Sequence, residues 1–239
     1  MPLPILEAPR YEVTVPSTGK KYSYRPYLVK EEKILMIALE SNDEKQILNA
    51  MKDVIESCTF NKIKADNLCT FDLEYIFLKL RAKSVGEVSK VGLKCEKCEK
   101  STPVEINIDE IEIDMNKKPK STIKLTEKIS VTLSWPKMKD AVNFVKTEEN
   151  QNDRVNTAID IIASCIEAIH DNTKTYKAED STKEELIQFI ESLNQKQFAK
   201  IQEYIEAMPK MEHTANFKCS DKNCGHDNSI VLSGLQNFF

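Results

Sequence analysis

Two short cysteine stretches restrict this chain more than anything else in it. Residues 94–100 read K-C-E-K-C-E-K and residues 218–226 read K-C-S-D-K-N-C-G-H, with 120 residues between the inner cysteines. A C-x2-C turn at the tip of a β-hairpin points two sulfurs to one side. A second turn of the same kind can close a tetrahedron of thiolates around a metal. If the two pairs meet, the fold has to bring together two hairpins that are remote in sequence.

The compartment bears on how the cysteines are read. Seven of them, an odd number, occur in 239 residues that open M-P-L-P-I-L-E-A-P-R, without the basic start, apolar run and small-residue cleavage site of a secretory signal. The apolar run I-L-M-I-A-L at 34–39 is far too short for a membrane span. The expectation is a cytoplasmic protein without membrane contact, where a close cysteine pair binds metal or performs redox chemistry. A catalytic redox C-x-x-C usually opens a helix, whose dipole lowers the thiol pKa, whereas strand-like sequence flanks both pairs here. Two unrelated surface pairs, or a disulfide formed after cell lysis, are the plainer alternatives. The reading favoured by spacing is one structural zinc site of Cys95, Cys98, Cys219 and Cys224. Gly225 suits the second turn, the four-residue gap there is at the loose end of the usual range, and His226 offers a substitute ligand. A closed shell of four cysteines has no open coordination position, so such a zinc would be structural and not catalytic.

Hydrophobic periodicity places the rest. Y-E-V-T-V (11–15), P-S-T-G and K-K-Y-S-Y-R (20–25) read as a hairpin. Helices are expected at 29–40, after an Asp43 cap through Cys58 with Ile47, Leu48, Met51, Val54 and Ile55 on one stripe, and at 71–83. The last is apolar on nearly every side and should lie at the centre of the core. From Glu87 the period changes to two, giving strands at 88–94, 104–109 and within 121–135. Helices resume at 152–169, where Val155, Ala158, Ile159, Ile162, Cys165, Ile166 and Ile169 share a face. Ser181 with Glu184 reads as a capping box for 182–193, and Phe198, Ile201, Ile205 and Met208 stripe a helix closed by Pro209. Strands at 214–218 and 229–233 enclose the second cysteine pair.

The fold class expected is α+β, a helical body with an inserted antiparallel β subdomain containing a zinc-ribbon-like pair of cysteine hairpins. By this reading residues 1–27 form an N-terminal arm and hairpin. Residues 28–86 plus 137–210 form the helical body, and 87–136 plus 211–239 the β subdomain. Cys58, Cys69 and Cys165 read as core packing, Trp135 as a core or edge anchor, and His170 as a residue at a helix C-terminus. His213 has no assigned role. The carboxylates at 31–32, 109–110 and 148–150 read as solvated faces, since none pairs with a histidine or nucleophile at catalytic spacing. No glycine-rich phosphate cradle is present among five glycines, and the net charge of −4 argues against a dedicated nucleic-acid binder.

Three stretches resemble the baseplate hub proteins of T-even-like, contractile-tailed bacteriophages. They are P-S-T-G-K-K-Y-S-Y-R-P-Y-L-V-K-E-E-K-I-L (16–35), T-F-D-L-E-Y-I-F-L-K-L-R-A-K-S-V-G-E (70–87) and N-Q-K-Q-F-A-K-I-Q-E-Y-I-E-A-M-P-K (194–210). The resemblance implies a non-enzymatic structural component of the tail baseplate hub, assembled in the host cytoplasm and carried in the virion. Its partners would be other baseplate hub and tail proteins, an arrangement compatible with a symmetric multi-copy assembly. A transient hub assembly factor is the alternative within the family. A zinc-ribbon nucleic-acid binder using Lys90, Lys94, Lys97 and Lys100 is the alternative from another class. The zinc site is no part of the resemblance and rests on spacing. The proline-rich arm 1–10 and the aromatic tail 235–239 are candidate interfaces, with folding back on the core the plainer reading for the tail.

Overall fold

The computed structural model describes residues 6–115, 119–140 and 151–235, with side chains of the last stretch from Asn156 onward. Half of the arm (1–5), residues 236–239 of the tail and the carboxylates at 148–150 therefore lie outside the described residues. In chain order the first elements are β1 (Tyr11–Thr14), β2 (Lys21–Tyr24), α1 (Val29–Glu40), α2 (Glu44–Cys58) and α3 (Thr70–Ser84). Strands β3 (Val88–Lys94), β4 (Ser101–Asn107), β5 (Thr122–Lys124) and β6 (Ser130–Leu133) follow. The remainder is α4 (Gln151–Cys165), β7 (Ile166–His170), β8 (Thr175–Lys177), α5 (Lys183–Glu191), α6 (Gln195–Glu206), β9 (Glu212–Lys218) and β10 (Asp227–Ser233). The chain is thus a mixture of helices and antiparallel strands. No helix among the described residues is long and apolar enough to cross a membrane.

The chain packs as two compact units. One comprises residues 1–65, 71–115 and 210–239, and the other 66–70 with 116–209. This grouping differs from a division by secondary-structure type, because α1, α2 and α3 share a unit with the cysteine hairpins.

In the first unit α3 is the central element. Phe71, Leu73, Ile76, Leu78 and Leu80 are almost wholly buried, as expected for a helix apolar on most sides. The β1–β2 turn is fastened to its start. The backbone N–H and hydroxyl of Ser17 both donate to the buried Asp72 carboxylate, at 2.9 and 2.5 Å. Helix α2 begins at Asp43, whose side chain accepts from the N–H groups of Lys45 and Gln46. Its Met51, Val54, Ile55 and Cys58 are buried, with Ile47 and Leu48 half-buried.

Glu31 departs from the expected solvated face. It is 3% exposed and accepts from the Leu28 N–H at 2.9 Å, Arg25 Nη2 at 2.9 Å and Ser57 Oγ at 3.1 Å. The carboxylate therefore caps α1 and ties it to the end of α2. Burial works against its charge, but Arg25, the Leu28 N–H and Ser57 outweigh that and hold its pKa down to about 2.

The second unit holds a four-stranded antiparallel sheet in the order β5-β6-β7-β8. Helix α4 ends at Cys165, so the helix expected through residue 169 is four residues too long, and Ile166, Ile169 and His170 belong to β7. The isoleucines satisfy a helical stripe, yet their backbone finds a partner in β6. Val131 pairs with Ile169 and Leu133 with Ile166, and the Ser134 N–H donates to the Cys165 carbonyl at 2.7 Å. His170 sits in the sheet instead of at a helix end, with Nε2 2.8 Å from Thr132 Oγ1 and Nδ1 2.9 Å from Thr175 Oγ1. The capping box of α5 is Thr182 with Glu185, one residue beyond Ser181 and Glu184. Both pairs have the same spacing, and the structure uses the later one. Trp135 is buried and stacks on Tyr204, with ring centroids 5.9 Å apart, while the Tyr204 hydroxyl donates to the Leu133 carbonyl at 3.1 Å.

Candidate metal centre

Each cysteine pair lies at the tip of a hairpin. Strands β3 and β4 pair from Val88–Asn107 to Lys94–Ser101, and β9 and β10 from Glu212–Ser233 to Lys218–Asp227. The tips are built alike. The Cys95 N–H donates to the Lys100 carbonyl at 3.0 Å, and the Cys219 N–H to the His226 carbonyl at 2.8 Å. In each case the bond joins the first cysteine to the residue just before the returning strand. The turns need left-handed backbone, at Glu99 (φ 59°) in one tip and Gly225 (φ 54°) in the other.

The structure brings the four expected ligands together. The sulfurs of Cys95, Cys98, Cys219 and Cys224 all lie within 4.8 Å of one another, and all four cysteines are free thiols. Cys98 Sγ is 3.6 Å from Cys219 Sγ, and Cys95 Sγ is 3.9 Å from Cys224 Sγ. Four thiolates about 2.3 Å from one metal would have sulfurs roughly 3.8 Å apart, the edge of the tetrahedron. A disulfide needs about 2.05 Å. The spacing therefore fits a tetrahedral thiolate site. His226 is not in the cluster and contributes its backbone carbonyl.

Electrostatics shows what an ion would relieve. Burial disfavours a Cys95 thiolate, but N–H groups of Cys98 and Lys97, the Asn228 side chain and the Cys219 thiol outweigh it and bring the pKa down to about 6. At Cys98 the Lys100 N–H favours the thiolate, but burial and the three neighbouring thiols push it up to about 12. One negative charge is accommodated easily, and further ones repel. A divalent cation at the centre would remove that conflict.

The hairpins also exchange hydrogen bonds that the cysteine spacing did not reveal. Asn228 Oδ1 accepts from the N–H of Glu96, the residue after Cys95, at 2.9 Å. Thr102 Oγ1 accepts from the N–H of Ser220, the residue after Cys219, at 3.1 Å. Thr102 and Asn228 are each the second residue of the returning strand, so the two bonds are reciprocal. Both side chains are buried. A polar residue at an inward strand position was the available signal. Lys100 and Asp221 add an ion pair.

The other cysteines are placed as packing. Cys58 and Cys165 are fully buried, and burial pushes their thiols up to about 11 and 12. Cys69 is half-buried, with its backbone bridged to Lys137.

The family model described as T4 bacteriophage base plate protein matches residues 8–239. The chain is also 25% identical over 230 residues to the baseplate hub assembly protein gp26 of Enterobacteria phage T4, covering 96% of this chain and 97% of that one. No solved structure matches it. With nearly its whole length inside that match, the chain belongs to the T4 bacteriophage base plate protein family.

Proposed function

We propose that the chain is a structural component of the phage tail baseplate hub, acting through contacts with other hub and tail proteins. The observation that carries this reading is the extent of the family match, which covers both compact units and not the cysteine hairpins alone. An apolar surface on α1 accords with it. Val29, Met36, Ile37 and Leu39 are exposed there, as suits a protein that is covered in an assembly. No catalytic role is part of the proposal.

Within this protein, Cys95, Cys98, Cys219 and Cys224 hold a structural zinc in a zinc-ribbon-like arrangement of two hairpins. The donor set supports that choice, since four soft thiolates in a tetrahedron suit zinc. The ion supplies charge neutralisation and a cross-link, while the chain supplies the turns and the reciprocal Asn228 and Thr102 bonds. Elemental analysis of the purified full chain should find one zinc per molecule, and a metal-free preparation of folded protein would remove the zinc from the reading.

The test of the role is quantitative mass spectrometry of purified virions against a tail protein of known copy number. A fixed small-integer ratio is expected for a structural subunit. The second reading, a transient hub assembly factor, is favoured by the printed name of the T4 relative. It requires the chain to be present in infected-cell lysate and absent from virions. A nucleic-acid role gains little support. Of the four knuckle lysines, Lys90 is paired with Glu105 at 3.0 Å and Lys100 with Asp221. Binding to DNA or RNA that falls steeply with salt would revive it.

A further inference from the structure

We infer that the four thiols are arranged to hold the same two hairpins in a second chemical form, the crossed disulfides Cys98–Cys219 and Cys95–Cys224. This form arises when the metal is lost and a small-molecule disulfide is present. Three features of the site point to it. Two of the sulfur contacts within the cluster, at 3.6 and 3.9 Å, each run from one hairpin to the other. They are equivalent under the reciprocity of the tips, because each joins the second cysteine of one hairpin to the first of the other. Each also joins a half-exposed thiol, Cys98 or Cys224, to a buried one, Cys219 or Cys95.

That last feature sets the order of events. A small disulfide RS–SR meets the reachable thiol of Cys98, which gives up its proton to solvent as its sulfur attacks one sulfur of the disulfide to give Cys98–S–SR and release RS⁻. The Cys219 thiolate then attacks the Cys98 sulfur, forming Cys98–S–S–Cys219 and releasing the second RS⁻. The two protein thiols lose two electrons and their protons go to solvent, while one small disulfide is reduced to two thiolates. Cys224 and Cys95 repeat the sequence with a second RS–SR. Each pair closes by roughly 2 Å to reach disulfide length.

The value of such a form depends on the baseplate reading. A virion part is assembled in a reducing cytoplasm and then works outside the cell, where thiols oxidise. Crossed bonds keep the hairpins joined there, whereas bonds within each tip would release one hairpin from the other.

The test treats the full chain with a chelator and oxidised glutathione, blocks remaining thiols and maps the linked peptides. A protease that cuts after acidic residues puts each cysteine on a different peptide, because Glu96 separates Cys95 from Cys98 and Asp221 separates Cys219 from Cys224. The expected products are Cys98–Cys219 and Cys95–Cys224, in excess over every other pairing. Pairs within the tips, the pairs Cys95–Cys219 and Cys98–Cys224, or glutathione adducts alone would each overturn the inference. In Cys219→Ser, Cys98 should remain a glutathione adduct while Cys95–Cys224 still forms, and any disulfide from Cys98 to another cysteine contradicts the assignment. Metal content, measured before treatment, reports separately on the zinc, and virion stoichiometry separately on the baseplate role.

Discussion

The cysteine hairpins and the four-stranded sheet of the second unit join their strands in opposite ways. In the sheet, β5, β6, β7 and β8 form three consecutive backbone ladders, over an interior of Leu125, Val131, Leu133 and Ile166. Between the hairpins β3–β4 and β9–β10 no ladder runs, since each is a two-stranded sheet by itself. Among the described residues their union draws on four thiols, the two reciprocal side-chain bonds, a hydroxyl pair between Thr102 and Ser220 at 3.2 Å and an ion pair. A ladder is hard to undo at one point and needs no cofactor. A cluster of thiols concentrates the connection in one place, where a metal can make it and a chelator can break it.

The largest effect should come from that place. Removing the proposed zinc, or replacing Cys219 by Ser, should cost several kcal/mol of the first unit's stability, given that thiolate zinc sites in small domains contribute on the order of 10 kcal/mol. Hydrogen exchange should quicken across residues 88–107 and 212–233. Trp135, the single tryptophan, lies in the second unit against Tyr204, so its fluorescence should stay native. A simultaneous collapse of both signals would show that the two modes of joining are not separable. The converse substitution is Leu133→Ala, at a side chain 1% exposed in β6. Loss of a buried leucine costs about 2–5 kcal/mol. Here the tryptophan transition should shift while the metal content stays unchanged.

A third region, in the same unit as the clamp, is joined by a buried charge and not by thiols. Glu31 is held at a pKa of about 2, below the ordinary 4.5. A depressed carboxylate contributes stability that is present above its unfolded pKa and lost as pH falls through the folded one. The window is therefore pH 4.5 down to about 2, and the contribution above it is roughly 3 kcal/mol. Urea denaturation of Glu31→Gln should show its full deficit near neutral pH and approach the parent protein as pH drops through that window. A deficit independent of pH would mean that the Arg25–Glu31–Ser57 knot acts through shape and not charge.

The same contrast explains what could be read in advance. The thiol cluster was legible because ligand spacing is local, and so was α1 at 29–40, bounded by a change in pattern. The α+β mixture follows from the switch of period at Glu87. Strand β7 was hidden because Ile166 and Ile169 continue the stripe of α4, and only the pairing with β6 turns them into a strand. Glu31 looked like one of many surface acids, and its burial depends on Arg25 and Ser57 arriving from either side. Ladder partners and buried charge are decided by segments that meet in space, so no window of sequence contains them.

The smallest effect should come from the reciprocal bonds, and it tests whether the two hairpins are equivalent halves. Asn228→Ala removes the acceptor for the Glu96 N–H and the donor to the His226 carbonyl. Thr102→Val removes the acceptor for the Ser220 N–H and leaves a side chain of the same shape. Each leaves a backbone donor unpaired beside the thiols, at about 1–2 kcal/mol. The proposed zinc should be retained in both variants, with faster exchange of the metal against a competing chelator. If the halves are equivalent, the two single variants should speed that exchange alike, and the double variant should do so by more than the product of the two. The excess is expected because both bonds brace the same tetrahedron, and neighbours that share a partner do not act independently. A variant pair in which only Asn228→Ala matters would place the weight on the second tip. Its four-residue gap between cysteines makes that tip the looser of the two, so the imbalance would follow from the spacing itself.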